Sequence, residues 1–375
     1  MQEASMSYWR MPWNRNVGPI GLDLGADCPR AMQVRVGPDA PRASVAVEVD
    51  ADAGLVRRAV AAAVAMRRSR LIGREVVVGL PSSAVRMHVA RLPLLAGRDA
   101  SEAIAWEAAE RNGWPREAVV ADAIPTGAPS LHGDGKEEQL VVAAPADELE
   151  QALGALIDAG FEPVAAEPRF MAVARAVSRR ARRDADAANV RAVLHVEQEG
   201  SFIMVLRGDR IAFCREIPVG GATLDHAVAT RLSVAPEAAA ALRAQRLAAC
   251  AGSGPAVDPV AEEAAAAATR ATLDALAGEV ALCLRYYGVT FRGGQPGRVV
   301  LSGPHGAEPR LAEIVGEITR AEVASYRSEL PTAVGGDGAA SEFTASWMTA
   351  YGLACRPRAV GARAQQVASH ERSAA

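Results

Sequence analysis

The chain is nearly without lysine. Its single one, Lys136, sits in the polar stretch SLHGDGKEEQ, and arginine carries the rest of the positive charge. That rules out a G-x-x-x-x-G-K-[ST] phosphate loop. It also leaves Schiff-base chemistry one candidate, in what reads as a surface loop. P-loop ATPases and pyridoxal enzymes are thereby excluded. The five cysteines (Cys28, Cys214, Cys250, Cys283, Cys355) are far apart and form no C-x-x-C pair, which argues against a disulfide framework or a zinc site. The six histidines are equally scattered, with no H-E-x-x-H spacing. No uncharged apolar run reaches about 18 residues, so no membrane-spanning helix is expected. The opening MQEASMSYWRMPWNRN lacks the apolar core and cleavage pattern of a secretory signal. A formal net charge of −3 gives no field that would draw nucleic acid. What is left is a soluble, cytoplasmic, globular chain.

What is present is a repeated pattern. At 375 residues, half of them apolar, the chain exceeds one ordinary hydrophobic core, so two or more subdomains are expected. Residues 1–16, with Tyr8, Trp9 and Trp13, read as an N-terminal extension. From residue 17 the apolar period runs strand, turn, strand, strand, then the helical AGLVRRAVAAAVAMRRSR, then the strand EVVVGLP. The stretch QLVVAAPADELEQALGALIDAGFEPVAAEP adds strand, helix, strand. VRAVLHVEQEGSFIMVLRGDRIAFCREIPVGG then opens a second series of three antiparallel strands before helices, which suggests internal duplication. The tail from 357 is polar and reads as disordered.

In this order the segments resemble the actin-like ATPase superfamily and, more narrowly, the PilM family of pilus-assembly proteins. IGLDLGADCPRAMQV is similar to the first phosphate segment of that superfamily, a strand, an Asp-x-Gly turn and a second strand. GLPSSAVRMHVARLP and AIAWEAAERNGWPREAVVADA resemble its inserted small subdomain, and EVALCLRYYGV its nucleotide-side helix. The resemblance implies an α/β, ribonuclease H-like duplicated fold, with two lobes around a cleft and a small α+β subdomain inserted in the first lobe. It places the first lobe at 17–188 with the insertion at about 82–162, and the second lobe at 189–356 with a helical subdomain at about 231–296.

The same resemblance implies ATP and Mg²⁺ in the cleft. Asp23 becomes the magnesium-side carboxylate and Gly25 part of the first phosphate turn; Glu279, Gly303 and Gly306 fall on the nucleotide side. Glycine in such turns lets backbone N–H groups close on phosphate. Several partners of this pocket are changed. Ala26 and Asp27 stand where small hydroxyl residues belong. His195 replaces the second aspartate and Glu197 a glycine. Pro304 and His305 interrupt the late glycine loop, and Leu282 and Cys283 replace an arginine and a serine. Together these argue that nucleotide hydrolysis has been lost or weakened. From the residues alone, Asp23 is equally a turn aspartate capping its own loop, and His195 a strand-end histidine.

The function implied is that of an adaptor in a type IV pilus or type II secretion-like platform. It would recruit the N-terminal cytoplasmic peptide of a PilN-like bitopic membrane protein and sit at the inner membrane through that partner, with a pilus motor ATPase or platform protein as a further contact. The peptide is expected in a groove between the main body and the inserted subdomain, and Trp106 and Trp114 are candidate anchors, core packing being the other role open to them. An active actin-like ATPase or phosphotransferase is the alternative, and a division polymer of the FtsA kind a second one.

Overall fold

The computed structural model describes residues 17–25, 28–35, 41–47, 49, 53–93, 95, 97–126, 136–178, 189–250, 254–291, 294–326 and 345–357. The extension 1–16, Ala26, Asp27 and the tail from 358 lie outside them.

Two five-stranded sheets of the same topology form the body. In the first lobe β1 (Val17–Asp23), β2 (Arg30–Arg35) and β3 (Pro41–Ala46) run antiparallel, and β4 (Glu75–Leu80) and β8 (Glu162–Pro168) continue parallel to β1, in the order β3-β2-β1-β4-β8. In the second lobe β9 (Val190–Val196), β10 (Ser201–Arg207), β11 (Arg210–Ile217), β12 (Arg298–Ser302) and β13 (Glu322–Ser325) repeat this as β11-β10-β9-β12-β13. The strands differ in pattern because they differ in cover. β1 is buried along its whole length, which matches an unbroken apolar run rather than an alternating one.

Between β4 and β8 the chain builds a separate three-stranded antiparallel sheet from β5 (Arg86–Pro93), β6 (Val119–Pro125) and β7 (Lys136–Pro145), in the order β5-β7-β6, with helix α2 (Gly97–Asn112) against it. Ala90, Leu92, Ala108, Val141 and Ala143 make its small core. Lys136, expected in a loop, is the exposed first residue of β7, paired opposite Pro93. The three-stranded sheet ends with β7 at Pro145. β8 is the edge strand of the first sheet, and α3 (Ala146–Asp158) buries Leu149, Ala152 and Leu156 in the first-lobe core with α1 (Leu55–Arg68), whose Leu55, Ala59, Ala62, Ala63 and Met66 form the matching stripe.

The remaining helices are α4 (Arg169–Ser178), α5 (Gly221–Leu232), α6 (Pro236–Cys250), α7 (Pro259–Thr290), α8 (Leu311–Thr319) and the fully buried α9 (Met348–Ala354). α7 starts where its pattern says it should: Asp258 accepts from the N–H groups of Val260 and Ala261, and Pro259 follows in the first turn. The topology brings Asp23, at the end of β1, beside Gly79 of β4 in one lobe, and His195, near the end of β9, beside Ser302 of β12 in the other. The two strand ends face one another across the lobes.

Candidate functional site

The turn after β1 is built around Asp23, which is fully buried. One carboxylate oxygen accepts from the N–H of Gly25 at 3.1 Å, and the N–H of Leu24 donates to Gly79 O. A buried carboxylate is costly unless its charge is met, and here it is met by an arginine. Arg169, the first residue of α4, brings Nε to 2.9 Å from Asp23 Oδ1 and donates from Nη2 to Oδ2 at 3.0 Å. Its Nη1 lies 2.6 Å from Glu197 Oε2, in the turn after β9 of the other lobe. Asp23, Arg169 and Glu197 are at most 4 % exposed. A planar guanidinium, always charged and able to meet two carboxylates at once, suits such a buried position better than lysine. Arg58, buried on α1, repeats the link more loosely: Nη1 points at Leu24 O (3.5 Å) and Nη2 at Glu199 (3.8 Å).

His195 sits beside this bridge. Its Nδ1 shares a 2.8 Å hydrogen bond with Ser302 Oγ, its Nε2 is 3.5 Å from Glu197 Oε1, and its ring stacks on Phe202 at 4.8 Å. Burial first, and the Arg169 cation second, hold its pKa well below the usual imidazole range. The ring is therefore neutral at pH 7 and adds no charge to the bridge.

A second buried cluster fills the space between α5, α6 and the loop after β12. Arg243 and Arg246, both on α6, converge on Glu308: Arg243 Nη2 donates to Oε2 at 2.8 Å and Arg246 Nη1 to Oε1 at 3.1 Å. Arg243 also reaches Asp225 (2.6 Å) and Gly221 O (2.9 Å), while Arg246 makes a fork with Glu262 at 2.8 and 2.8 Å. The loop itself lies against β9. Gly303 adopts φ +91°, and a Cβ there would collide with Val196 O. Over Gly221, at the start of α5, the side chains of Gln198 and His305 close in so tightly that a Cβ would meet both.

Mg²⁺ and ATP do not fit these residues. A magnesium ion needs carboxylate oxygens and several retained waters, whereas both oxygens of Asp23 are engaged by Arg169 and by its own turn. Phosphate would need open N–H groups, whereas those of Gly221 and Ala222 at the head of α5 donate to Glu197 O and Gln198 O, and that of Glu197 to Gly200 O. Among the described residues no three His, Cys, Asp or Glu side chains converge as a metal cluster.

The structure thus brings Asp23 and Gly25 together, and Gly303 and Gly306 into the loop on β9. Glu279 is elsewhere: it lies on the surface of α7, with Arg215 at 4.0 Å. Trp106 is 55 % exposed on α2, and Trp114 is partly buried against the small core of the inserted sheet. Arg169, Arg243, Arg246 and Glu308 carry the site and escape sequence reasoning. The available signals were slight: a cation in the first turn of α4, where the helix dipole opposes it, and two arginines on the buried stripe Ala239, Arg243, Arg246 of α6.

Among the described residues, a cavity of about 650 Å³ is bounded by Ile124 and Pro125 of the inserted unit, Met171, Ala174 and Arg175 of α4, Cys355, Asp209 of the β10–β11 turn, and Arg210 and Ile211 at the start of β11. A second, of about 330 Å³, lies between β5 and β11, with Tyr286 of α7 in its wall. Neither is lined by Trp106 or Trp114. Among the described residues no helix is long and apolar enough to cross a membrane.

Against known proteins, the family model for the type IV pilus assembly protein PilM matches residues 46–358. A solved PilM–PilN type IV pilus biogenesis complex is similar over 90 % of this chain and 98 % of that one, at 22 % identity and a TM-score of 0.74. The ethanolamine utilization protein EutJ from Carboxydothermus hydrogenoformans is similar over 90 % and 89 %, at 16 % identity and a TM-score of 0.51. Both are likenesses of fold, the two-lobed actin-like architecture. No curated protein sequence matches.

Proposed function

The chain belongs to the PilM family of type IV pilus assembly proteins, and on that basis we propose that it is a scaffold rather than an ATPase. It binds the N-terminal cytoplasmic segment of a PilN-like bitopic membrane protein, sits at the inner membrane through that partner, and has given its actin-like cleft over to side chains. The observation that carries the first half is the cavity of about 650 Å³ where the inserted unit meets the main body. Its volume falls in the range of sites that enclose a few side chains. Its walls are apolar at Ile124, Pro125, Met171, Ala174 and Ile211, with Arg175, Asp209 and Arg210 among them to orient a peptide. The second half rests on Arg169, whose guanidinium meets the carboxylate that magnesium would need.

A labelled peptide carrying the cytoplasmic N-terminus of the PilN-type protein from the same organism tests the reading by fluorescence anisotropy. Binding to the wild type is expected, as is a loss of about thirtyfold or more in Met171→Glu or Ile124→Glu, the scale of a buried anchor of about 2 kcal/mol. A folded wild-type protein that leaves the peptide unbound contradicts it.

A further inference from the structure

We infer that Arg169 is the tie that fixes the two lobes relative to one another, and that through α4 it sets the shape of the peptide cavity. This rests on the adaptor reading for the cavity's occupant, but not for the tie itself.

The helix that starts with Arg169 lies between the lobes along its whole length. At its first residue Arg169 joins Asp23 of the first lobe to Glu197 of the second. One residue on, the Phe170 ring packs edge-on against Phe202 of β10, with centroids 6.3 Å apart. At its last residue Ser178 Oγ donates to Gly208 O in the β10–β11 turn at 3.2 Å. Ten residues at 1.5 Å each make this a rod of about 15 Å, held to the second lobe at both ends. A second arginine seats it in the first lobe: Arg175 forks onto Glu167 at 2.7 and 2.9 Å and reaches Gly352 O at 2.8 Å.

The cavity is read from the same helix. Met171 and Arg175, one turn apart, are the two residues of α4 that are not fully buried, and both line it. Its opposite wall is Asp209, in the turn that Ser178 touches, with Arg210 and Ile211 at the start of β11. The cavity is therefore enclosed by both lobes, and its width follows from their relation. Apolar packing also joins the lobes, Phe170 and Val173 sharing a core with Phe202, Met204 and Leu206, and the charged bridge that orients them is built into the chain. A ligand can shift such a relation only by its differential affinity for the two arrangements. With Arg169 in place, nucleotide has no such lever, and the peptide meets a groove that is already formed.

The test uses the full chain in three forms: Arg169→Met, Arg169→Lys and the neutral triple Asp23→Asn/Arg169→Met/Glu197→Gln. Arg169→Met strands two buried carboxylates and is the variant most prone to misfold; the triple removes all three charges together and keeps the shapes, so it stays informative. Two readouts are taken, hydrogen exchange of the α4 amides and affinity for the PilN-type peptide. In the triple, α4 exchange should quicken about tenfold and peptide affinity fall about tenfold, as a groove no longer pre-formed demands, while Arg169→Lys lies between it and the wild type. Exchange and affinity both at wild-type values in the folded triple overturn the tie, and reduce Arg169 to charge compensation. If the wild type binds no peptide, the adaptor reading fails, and the exchange data alone still decide the tie.

Discussion

Substituting Glu308 by alanine tests how completely the second cluster is sealed. Glu308 is 3 % exposed and receives Arg243 at 2.8 Å and Arg246 at 3.1 Å. Removing one member of a buried ion pair commonly costs about 3–5 kcal/mol, because the partner's charge is left uncompensated. Here both arginines keep other acceptors, Asp225 and Gly221 O for Arg243 and Glu262 for Arg246. The loss should therefore fall at the low end, about 3 kcal/mol for Glu308→Ala. Glu308→Gln, which retains an acceptor but no charge, should lose about 1.5–2 kcal/mol, the scale of a charged hydrogen bond. Urea unfolding followed by far-UV circular dichroism at pH 7 reads both. Glu313→Ala is the internal control: it removes a carboxylate 3.1 Å from Arg310 on the surface of the same lobe, where solvent screens the pair. It should leave the midpoint unchanged. A Glu308→Ala midpoint indistinguishable from that of Glu313→Ala would mean that water reaches the cluster, and the picture of a filled pocket would fall.

Other consequences are as direct. The folded-state pKa of His195 is depressed, so below about pH 6.5 the unfolded chain takes up a proton that the folded one refuses, and stability falls with pH at up to about 1.4 kcal/mol per unit. His195→Asn should flatten the loss between pH 7 and 5.5 by about 1 kcal/mol; an unchanged slope would show a solvated imidazole. His88, also depressed by burial, is common to both proteins and cancels in the difference. Trp114→Ala should destabilise the inserted unit by about 2–3 kcal/mol, somewhat under the cost at a fully buried tryptophan, whereas Trp106→Ala should leave melting unchanged. Equal effects at the two positions, read by thermal unfolding, would contradict the packing described.

The architecture was legible in the chain because both lobes write it in the same periodic terms. Three strand-like runs precede helices twice, and the parallel strands β1 and β4 read as short unbroken apolar runs. The Asp-x-Gly turn was legible too, since Asp23 and Gly25 form it within three residues. Which sheet β8 joins was not: α3 and β8 continue the preceding pattern without a break, and only strand pairing puts β8 beside β4. The charges that fill the cleft were hidden for a different reason. Asp23 and Arg169 are 146 residues apart, and Arg243 and Glu308 are 65 apart; a long-range ion pair leaves no period in the sequence. The residues at 195 and 197 stood out against the family pattern, but nothing in them pointed to the arginine that meets Asp23 and Glu197.

Isothermal titration of the wild-type protein with Mg-ATP, alone and with the PilN-type peptide already bound, tests the filled cleft most directly. With Arg169 on Asp23 and Glu197, the titration should give only heats of dilution, and the peptide should bind equally well with and without nucleotide. A micromolar Mg-ATP site that disappears in Asp23→Ala would contradict this, and would return the chain to the working ATPases of its fold.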